Sequence, residues 1–573
     1  PQSKIKIPAG VTLAFTSASI GGAAMSPGTY SAGEAEGFRK AAWIEGEGTV
    51  TVQEGPENAA TWRGGDAESR LTSRDANWLE GSVPDLTTGT LLATFATGGS
   101  EARLDSAASF VGLVFNNGFG DSEFAFTTDG AGVTVGANGV TAPAAAAATT
   151  WRMDCPFALG AAQTWDLGAN NTFKLNAPLS GTDALTVQGQ GTVHFNAESS
   201  HSGALEIKGG TVKVSANNGL GTNARTVSYH HMLAKYEFSG NITLDAPMYS
   251  SDLSESATSF MTVKSGSHVT FNGNFGYKAQ GGITFETNSV TVFNGGLQFT
   301  TDGMKGMLYP YGAGTIIVSN KNISTIRSWQ GSTGHPITLE LAAQYNILND
   351  ASYWAKFRSG RLVTRVDKAL DSGGNFLYLD DVVFDLDGHN EQVGLLATTA
   401  KARITSVAPA TLTVASASDG NGQDGTQGGD NRVDLAVYSG QVSFKKPGAK
   451  PHTFGAVSTS TGAVEVTAGT IVMNANGKWP NATEVRVAGG SLTLKNAEAF
   501  GTNAFWRVTT ASDPVVTFDF AGTNACEKLY VNGTRKAGGV YGAVGSGADK
   551  EVTWLTGTGV LKVAEHGLMI FLK

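Results

Sequence analysis

Four aspartates lie close together in the segment LDDVVFDLDGHN at 379–390. If this segment is a β-strand, its side chains alternate between two faces, so Asp381, Asp385 and Asp387 project from one face, next to Asp380. Paired carboxylates are the groups that cleave glycosidic bonds by acid and base catalysis. The segment therefore supports one hypothesis, a polysaccharide lyase or glycoside hydrolase built on a β-helix.

A second copy of the segment favours a structural role for these acids. WDLGANN at 165–171 matches FDLDGHN at 384–390, with Asp166 in the place of Asp385, but the rest of the acidic cluster is missing. A carboxylate that recurs without its neighbours is more simply a residue of a turn or a strand edge. We therefore predict no catalytic residues, and the enzyme remains the alternative.

A glycine-rich segment, DGNGQDGTQGGDNRVD at 419–434, could bind calcium. Calcium prefers hard oxygen ligands, and this segment offers several at short spacing. The candidate ligands are Asp419, Asn421, Asp424 and Asp430. A solvated loop is the simpler interpretation, because the segment lacks the closing glutamate and the glycine register of an EF-hand. We predict no cofactor, with calcium as the alternative.

The chain shows no other motif of known chemistry. It contains no G-x-S-x-G, Walker A or H-E-x-x-H pattern. His194 alternates with apolar neighbours and should face solvent, and the pair His230 and His231 has no partner at metal-ligand spacing. Cys155 and Cys526 lie far apart in the sequence. We expect two separate thiols, because a disulfide needs Cα atoms within about 7 Å.

Charge and hydropathy exclude several classes of partner. The net charge is −9 and the pI is near 5.6, so the chain offers no counter-charge to nucleic acid or to an anionic membrane. No apolar run is long enough to span a bilayer as a helix. The first residues, PQSKIKIPAG, lack the apolar core of a signal peptide. We expect an exported protein from which the secretion signal has been removed.

The elements that would position these residues are short strands. Segments such as TVHF at 192–195, TVKV at 211–214 and SLTL at 491–494 alternate in polarity, and Gly, Asn or Asp turn the chain between them. The 75 glycines suit many tight turns. GALEIKGGTVKVSANNGLGTNA at 203–224 also aligns without gaps on TEVRVAGGSLTLKNAEAFGTNA at 483–504. Such long-range repeats favour a stacked β-solenoid over a sandwich.

The two ends of the chain carry related sequences. Residues 22–52 align without gaps on residues 533–563. The pairs that match include two aromatic residues, with Tyr30 opposite Tyr541 and Trp43 opposite Trp554. The chain therefore opens with the motif that closes it.

This match divides the chain into four predicted regions. They are an N-terminal module that resembles the closing piece of a preceding unit, entry or capping coils, a β-helix body, and a closing module with a terminal strand, at 1–54, 55–150, 151–510 and 511–573. The free edges of a stacked coil invite another strand. The candidates for end-to-end assembly are aromatic residues of the two modules and the terminal segment GLMIFLK, namely Tyr30, Trp43, Tyr541, Trp554, Met569, Ile570 and Phe571.

Three segments resemble a known family. GQGTVHFNAESSHSGALEIKGGTVKV at 189–214 is similar to the repeat of autotransporter-associated β-strand repeat proteins of Gram-negative bacteria. FDLDGHNEQVGLL at 384–396 resembles their D-L-N-G-x-N segment, and residues 529–563 resemble their closing module. The resemblance implies a right-handed parallel β-helix that is exported and serves in adhesion, surface structure or carriage.

We therefore predict an all-β protein, a right-handed parallel β-helix with related small β modules at its two ends. We expect a non-enzymatic, extracellular or cell-surface protein with a structural or adhesive function, which contacts other copies of itself end to end. Trp329, Tyr353 and Trp354 are aromatic candidates for contact with glycans or a host surface. The alternatives are the polysaccharide-active enzyme and a passive stalk of a larger exported protein.

Overall fold

A computed structural model describes residues 4–15, 19–20, 23–24, 28–33, 39–52, 59–66, 69–95, 100–116, 123–221, 227–230, 234–252, 259–276, 280–295, 297–298, 300–301, 304–305, 307–320, 328–329, 333–344, 354–370, 376–415, 433–510 and 515–565. The regular structure of these residues is β-strand, apart from one 3-10 helix at Asp75–Asn77. The chain divides into two compact units, Pro1–Thr192 and Val193–Lys573.

The first unit begins with short strands and continues with longer ones that alternate with turns. Its strands are Ile5–Lys6, Thr12–Phe15, Ser19–Ile20, Ala23–Ala24, Gly28–Ser31, Arg39–Lys40, Ile44–Glu45, Thr49–Val52, Ala59–Trp62, Leu91–Phe95, Glu101–Leu104, Ala108–Phe115, Glu123–Thr128, Val133–Ala142, Thr149–Met153, Phe157–Leu159, Gln163–Leu167, Asn171–Leu175, Leu179–Ser180 and Leu185–Gly189. The strand Thr192–Phe195 begins at the last residue of this unit.

The second unit repeats short strands to its end. Its strands are Leu205–Ile207, Gly210–Val214, Val227–His230, Ala234–Phe238, Asn241–Leu244, Met248–Asp252, Ser259–Val263, His268–Phe271, Phe275–Gly276, Gln280–Phe285, Val290–Phe293, Leu297–Gln298, Thr300–Thr301, Met304–Lys305, Met307–Gly312, Thr315–Val318, Ser328–Trp329, Thr338–Leu341, Trp354–Phe357, Gly360–Thr364, Phe376–Leu379, Val382–Asp385, Glu391–Val393, Leu395–Thr398, Arg403–Val414, Val433–Asp434, Val437–Lys446, His452–Phe454, Val464–Val466, Thr470–Met473, Glu484–Val487, Ser491–Leu494, Phe505–Val508, Val516–Phe518, Thr523–Cys526, Lys528–Val531, Thr534–Arg535, Gly539–Ala543, Lys550–Val552, Leu555–Gly557 and Val560–Val563.

In the first unit, strands of successive coils stack in parallel. Leu91–Phe95 pairs with Ala108–Phe115, which pairs with Val133–Ala142, and that strand pairs with Gln163–Leu167. Each pairing joins a strand to one that comes later in the chain, as a solenoid requires, because parallel neighbours need a crossover between them. This unit is therefore a stack of coils.

The second unit contains longer ladders of the same kind. One 15-stranded sheet runs from Asn241–Leu244 to the antiparallel hairpin strand Thr534–Arg535, and its other pairings are parallel. A separate six-stranded sheet runs from Val433–Asp434 to Leu555–Gly557, and its strands follow one another in the order in which they occur in the chain. The prediction of an all-β chain of stacked parallel coils is confirmed.

Alternating apolar residues form the interior of the coils. Strands such as Thr149–Met153 bury every second side chain, because successive residues of a strand point to opposite faces. Aromatic rings pack between coils and within them: the ring centroids of Phe271 and Phe293, on adjacent coils, lie 5.2 Å apart, and those of Phe271 and Phe275, on consecutive strands, lie 5.4 Å apart. Burial of this apolar surface supplies the main stabilisation of each stack.

Polar side chains stack at one set of turns in the second unit. Asn218 donates to Asp245 at 2.9 Å, Asn272 donates to Asp245 at 2.7 Å, and Asn294 donates to Asn272 at 2.9 Å. Each bond joins residues of different coils. The ladder therefore aligns the turns with one another.

Glycine is required where the backbones of adjacent coils approach most closely. Gly440 has a φ of 70°, and a Cβ at this position would lie 2.0 Å from the carbonyl oxygen of Ser406 in the preceding coil. An L side chain would meet both the steric clash and the left-handed backbone. The high glycine content of the sequence follows from such contacts.

Candidate functional site

The acidic segment at 379–390 does not form the regular strand face that its sequence suggests. The strand covers Val382–Asp385 only, and Asp381 and Asp387 have φ angles of 55° and 48°. These left-handed conformations interrupt the extended backbone on both sides of the strand, so the shared face expected for Asp381, Asp385 and Asp387 is wrong. Aspartate tolerates this backbone region better than most residues do, which suits it to turns.

Basic and hydroxyl side chains of neighbouring coils hold the acids of this segment. Asp385 is buried and forms an ion pair with Arg361, one coil earlier. Asp387 accepts a hydrogen bond from Arg365 at 2.5 Å, and this bond raises the pKa of Arg365. Asp380 accepts a hydrogen bond from Thr399 at 2.9 Å. These aspartates therefore connect coils, in agreement with a structural role.

The matching acid in the first unit has the same kind of contact. Asp166 accepts a hydrogen bond from the amide of Gln188 at 2.8 Å, and the two residues are register partners on adjacent coils. A carboxylate at this position of the repeat thus faces a polar partner one coil away in both copies. The recurrence of the acid has a physical reason that does not involve catalysis.

A row of outward side chains crosses the last coils of the second unit. Lys445, Glu465, Arg486, Arg507 and Tyr530 are consecutive register partners on five parallel strands. We call these five residues the charged row. Residues in register on adjacent strands lie close enough for their side chains to interact, so the row forms a continuous polar surface.

Members of the charged row contact one another and a parallel row beside it. The ammonium of Lys445 lies 3.3 Å from the carboxylate of Glu465, and the guanidinium of Arg486 lies 3.6 Å from the same carboxylate. The guanidinium carbon of Arg507 lies 4.5 Å from the ring centroid of Tyr530. Charges alternate over Lys445, Glu465 and Arg486, whereas Arg486 and Arg507 are like-charged register partners.

The second, adjacent row completes these contacts. Glu484 forms ion pairs with Arg486 at 3.0 Å and with Arg507. The ammonium of Lys528 lies 4.2 Å from the ring centroid of Phe505. The charged side chains described on this surface thus form ion pairs or cation–π contacts with residues of the same surface.

A polar network lies inside the second unit, near residue 434. The carboxylate of Asp434 is fully buried and accepts hydrogen bonds from Thr398 at 2.6 Å, from Tyr438 at 2.6 Å and from His452 at 3.1 Å. Burial by itself would raise the pKa of Asp434, but the hydrogen bonds and the charge of His452 outweigh it and lower that pKa. We call these four residues the Asp434 network. It joins strands of successive coils.

A groove in the first unit brings two carboxylates together. Its volume is about 300 Å³, and it is lined by Ser100, Glu101, Glu123, Ala125, Thr127 and Arg152. Arg152 forms ion pairs with Glu123 and, at 2.6 Å, with Asp154, while Thr127 donates to Glu101. Sequence reasoning missed this pair, because Glu101 and Glu123 are distant in the chain and only the parallel register brings them to one face.

The two terminal modules share one pattern of strand pairing. Tyr30 pairs with Val50 and Arg39, and Tyr541 pairs with the matching residues Leu561 and Lys550. Tyr30, Tyr541 and Trp554 are buried, and Trp43 packs against the small core around Tyr30. These four aromatic candidates for assembly therefore belong to the interior of their own modules.

The other candidate residues are distributed as follows. The calcium candidates Asp419, Asn421, Asp424 and Asp430, the terminal Met569, Ile570 and Phe571, and Tyr353 and His231 lie outside the described residues. The strands Ser328–Trp329, Trp354–Phe357 and Val227–His230 are described, but the side chains of Trp329, Trp354 and His230 are not. Among the described residues, no group of three or more His, Cys, Asp or Glu could hold a metal ion.

The two thiols and His194 agree with their predicted settings. Cys155 and Cys526 are separate and buried, and burial raises the pKa of each to about 12. His194 is half-buried and shares a hydrogen bond of 2.7 Å with Ser215, which faces outward beside it. Neither thiol is placed to act as a nucleophile, because the thiolate is the reactive form.

The charged row had a signal in the sequence. Four of its five members occupy the centre of apolar triplets, VEV at 464–466, VRV at 485–487, WRV at 506–508 and LYV at 529–531, while Lys445 lies between Phe444 and Lys446. Triplets of this type at intervals of one coil predict outward residues in register. The strength of their contacts depends on the coil spacing, which the sequence does not show.

No protein-family model, no curated protein and no solved structure matches the chain. Within the described residues, the structure has no helix with the length and hydropathy needed to cross a membrane.

Proposed function

We propose that the chain is a non-enzymatic β-solenoid scaffold on the outer surface of a bacterial cell. The observation that carries this proposal is the charged row. Lys445, Glu465, Arg486, Arg507 and Tyr530 contact residues of adjacent coils, so the outward chemistry of this surface serves the stack itself. A surface organised in this way supports a mechanical role.

Export to the cell surface is supported by the sequence. The repeat and closing segments resemble those of autotransporter-associated β-strand repeat proteins, which are exported. Few charges, many glycines and two buried thiols suit a protein that stands outside the cell without disulfides. Adhesion to glycans or a host surface belongs to the same proposal as its finer part.

Surface location is tested on intact bacteria that produce the chain. We expect an antibody against the chain to label intact cells and a protease added outside to remove that label. The control is a cytoplasmic protein, which should be labelled only after lysis. Labelling of this chain only after lysis would contradict the proposed location.

The scaffold function is tested by comparing stability with catalysis. Glu484→Gln removes the charge that pairs with Arg486 and Arg507, so we expect the coils to unfold at a lower denaturant concentration. We expect neither the parent chain nor this variant to release products from glycans. The matched control is Glu498→Gln, whose carboxylate lies on a separate, exposed turn with Lys478. Release of products from acidic or neutral glycans by the parent chain would overturn the non-enzymatic part.

A second candidate function is polysaccharide cleavage at the groove of the first unit. The observation that favours it is the pair Glu101 and Glu123 beside Arg152 in one open groove, since two carboxylates and a cation suit a charged glycan. Its test is a panel of uronate and neutral glycans with the parent chain and with Glu123→Gln. Activity that this substitution abolishes, while Asp385→Asn leaves it intact, would establish the groove as the site.

A further inference from the structure

The terminal modules are built on the same register throughout. In the N-terminal copy Ile5 pairs with Ile44 and Thr12 with Thr49, and in the C-terminal copy Val516 pairs with Leu555 and Thr523 with Val560. Each of these residues stands at the matching position of the other module. Each module also contains a four-stranded sheet with the same strand order. Over their described strands, the two modules are therefore structural copies with the same register.

The copies differ in what lies against them. In the C-terminal module, Val516–Phe518 lies between Leu555–Gly557 and Ser491–Leu494 of the body, in a six-stranded sheet. In the N-terminal module, the matching strand Ile5–Lys6 belongs to a two-stranded sheet with Ile44–Glu45. Among the described residues, the edge that receives a body coil in one copy therefore pairs with no strand in the other.

Burial follows the same difference. Val516 is 0% exposed, whereas its counterpart Ile5 is 49% exposed, and Cys526 is 2% exposed, whereas its counterpart Phe15 is 42% exposed. Exposed apolar side chains of this size next to an open strand edge mark a surface that another element can cover. Val516, the counterpart of Ile5, is the register partner of Leu492 in the body.

The C-terminal copy shows what kind of element fits this surface. Leu492 donates its backbone N–H to Val515 at 2.8 Å, and Asp519 donates to Leu494 at 2.8 Å, so one apolar strand of the last coil lies on the module. A second contact joins the same module to the following turn, where the Asn524 amide donates to the carbonyl oxygen of Ala497 at 2.7 Å. The partner is the open last coil of a β-solenoid.

We propose that the strand edge of Ile5–Lys6, with the exposed side chains of Ile5 and Phe15, is a docking site for the open last coil of a second β-solenoid. The docking strand pairs in parallel with Ile5–Lys6, as Ser491–Leu494 pairs with Val516–Phe518, and its coil covers Ile5 and Phe15. The recognised features are a free parallel strand edge and two inward apolar residues, as at Leu492 and Leu494. This inference does not rest on the surface location or on the lack of enzymatic activity proposed above.

An intact second copy does not supply this coil. In each copy the edge of Ser491–Leu494 is already paired with Val516–Phe518 of its own closing module. A strand edge forms one set of backbone hydrogen bonds, so the same edge is closed to a second module. The occupant is therefore a solenoid that lacks a closing module of its own.

One backbone bond of the C-terminal copy is not available at the proposed site. Pro8 stands where Asp519 stands in the other copy, and proline has no N–H to donate. The remaining edge groups lie at Lys4 and Lys6, which match Val515 and Thr517. We expect docking to this site to be weaker than the contact within the C-terminal copy, and Pro8→Ala to strengthen it.

A module exchange tests the proposal within the full chain. Residues 515–563 are replaced by a second copy of residues 4–52, and Phe15 of the transplanted copy is changed to Cys. We expect this chimera to unfold with a midpoint within about 5 °C of the parent chain. We also expect its new thiol to react at least about tenfold more slowly than the same Phe15→Cys substitution made at the original N-terminal position, because a coil covers it.

Two controls define the outcomes. The same chimera with Ile5→Asp and Phe15→Asp in the transplanted copy should unfold at a lower temperature than the parent chain. Its midpoint should equal that of a chain that ends at residue 514. The proposal is overturned if the chimera without the Asp substitutions behaves like that shortened chain, or if the thiol of the Phe15→Cys chimera reacts as fast as at the N-terminal position. Sedimentation of the intact chain as a dimer that Ile5→Asp dissociates would identify a second intact copy as the occupant, against the proposal.

Discussion

Lys445 and Lys446 are neighbours on one strand, yet they occupy opposite environments. Lys445 belongs to the charged row, faces solvent and pairs with Glu465 at 3.3 Å. Lys446 is 1% exposed and donates to the carbonyl oxygen of Gly448 at 2.5 Å. The Asp434 network lies on the same inner side as Lys446. Two polar arrangements, one outside and one inside, therefore join the coils of the second unit.

The difference between them shows how burial sets the energetic consequence of a polar contact. An exposed ion pair contributes about 0–1 kcal/mol, because water screens both charges. A buried charge that loses its partner costs about 3–5 kcal/mol, because no water replaces the lost bonds. We infer that the charged row aligns the coils but contributes little to the free energy of unfolding. The Asp434 network, in contrast, determines whether this part of the stack folds.

The largest effect is expected from removal of the buried carboxylate. Asp434→Ala leaves Thr398, Tyr438 and His452 without their shared acceptor, and should lower the free energy of unfolding by about 3–5 kcal/mol. Denaturant unfolding of the full chain measures this loss. Glu465→Ala in the charged row is the matched control and should cost less than about 1 kcal/mol. Equal losses in the free energy of unfolding for both variants would contradict the contrast between buried and exposed contacts.

The same carboxylate should make stability depend on pH in acid. The pKa of Asp434 is lowered from its ordinary value of 3.8, so its ionised form contributes stability that is fully present above that value. This contribution is lost as the pH falls through the lower pKa of the folded state. Unfolding curves of the parent and of Asp434→Asn should therefore converge in strong acid. Curves that stay parallel down to that range would count against the assignment.

Replacement of the buried lysine should stabilise the chain. Burial lowers the pKa of Lys446 from 10.5 to about 8, so at pH 7 the folded state holds a charge that its surroundings disfavour. Lys446→Met should raise the free energy of unfolding by about 2–3 kcal/mol. The exposed neighbour offers a matched control, Lys445→Met, for which we expect almost no gain.

The gain from Lys446→Met should disappear at high pH. Above about 8 the folded state of the parent has released the proton, while the unfolded state keeps it until about 10.5. The parent chain therefore becomes more stable as the pH rises through this window, and the variant does not. A gain that is constant across the window would show that the charge of Lys446 is not its cause.

A smaller effect is expected from a single hydroxyl of the Asp434 network. Tyr438→Phe removes the hydrogen bond of 2.6 Å to Asp434. It keeps the ring, whose centroid lies 4.9 Å from that of Trp479. The loss should be about 1–2 kcal/mol, since Thr398 and His452 still satisfy the carboxylate. Near-ultraviolet circular dichroism should show that the ring packing is retained. A loss as large as that of Asp434→Ala would contradict the expectation that Thr398 and His452 still satisfy the carboxylate.

The smallest effect should come from the charged row, and salt should remove it. Glu465→Gln abolishes two ion pairs, with Lys445 and Arg486, and should cost about 0.5 kcal/mol at low ionic strength. In about 1 M salt the Debye length is near 3 Å, and the difference from the parent should vanish. A salt-independent loss would show that Glu465 acts by packing.

Part of the candidate site was predictable because it depends on local sequence. The match of WDLGANN to FDLDGHN predicted that Asp385 is structural, and both Asp166 and Asp385 do contact the adjacent coil. The shared face that alternation predicted for Asp381, Asp385 and Asp387 is wrong, because the left-handed backbone of Asp381 and Asp387 depends on the turns around them. The acid pair Glu101 and Glu123 is created by register between coils, which local sequence does not encode.

The sequence by itself determined the alternation of apolar and polar residues, the glycine turns and the equivalence of the two terminal modules. Period-2 patterns state which side chains share a face, and they do so for each strand separately. Only the tertiary structure decided which faces are covered. Ile5 and Val516 stand at matching positions in copies of one module, yet one is half exposed and the other is buried. Burial depends on whether a neighbouring coil covers the strand, and the sequence of the strand does not show whether that coil is present.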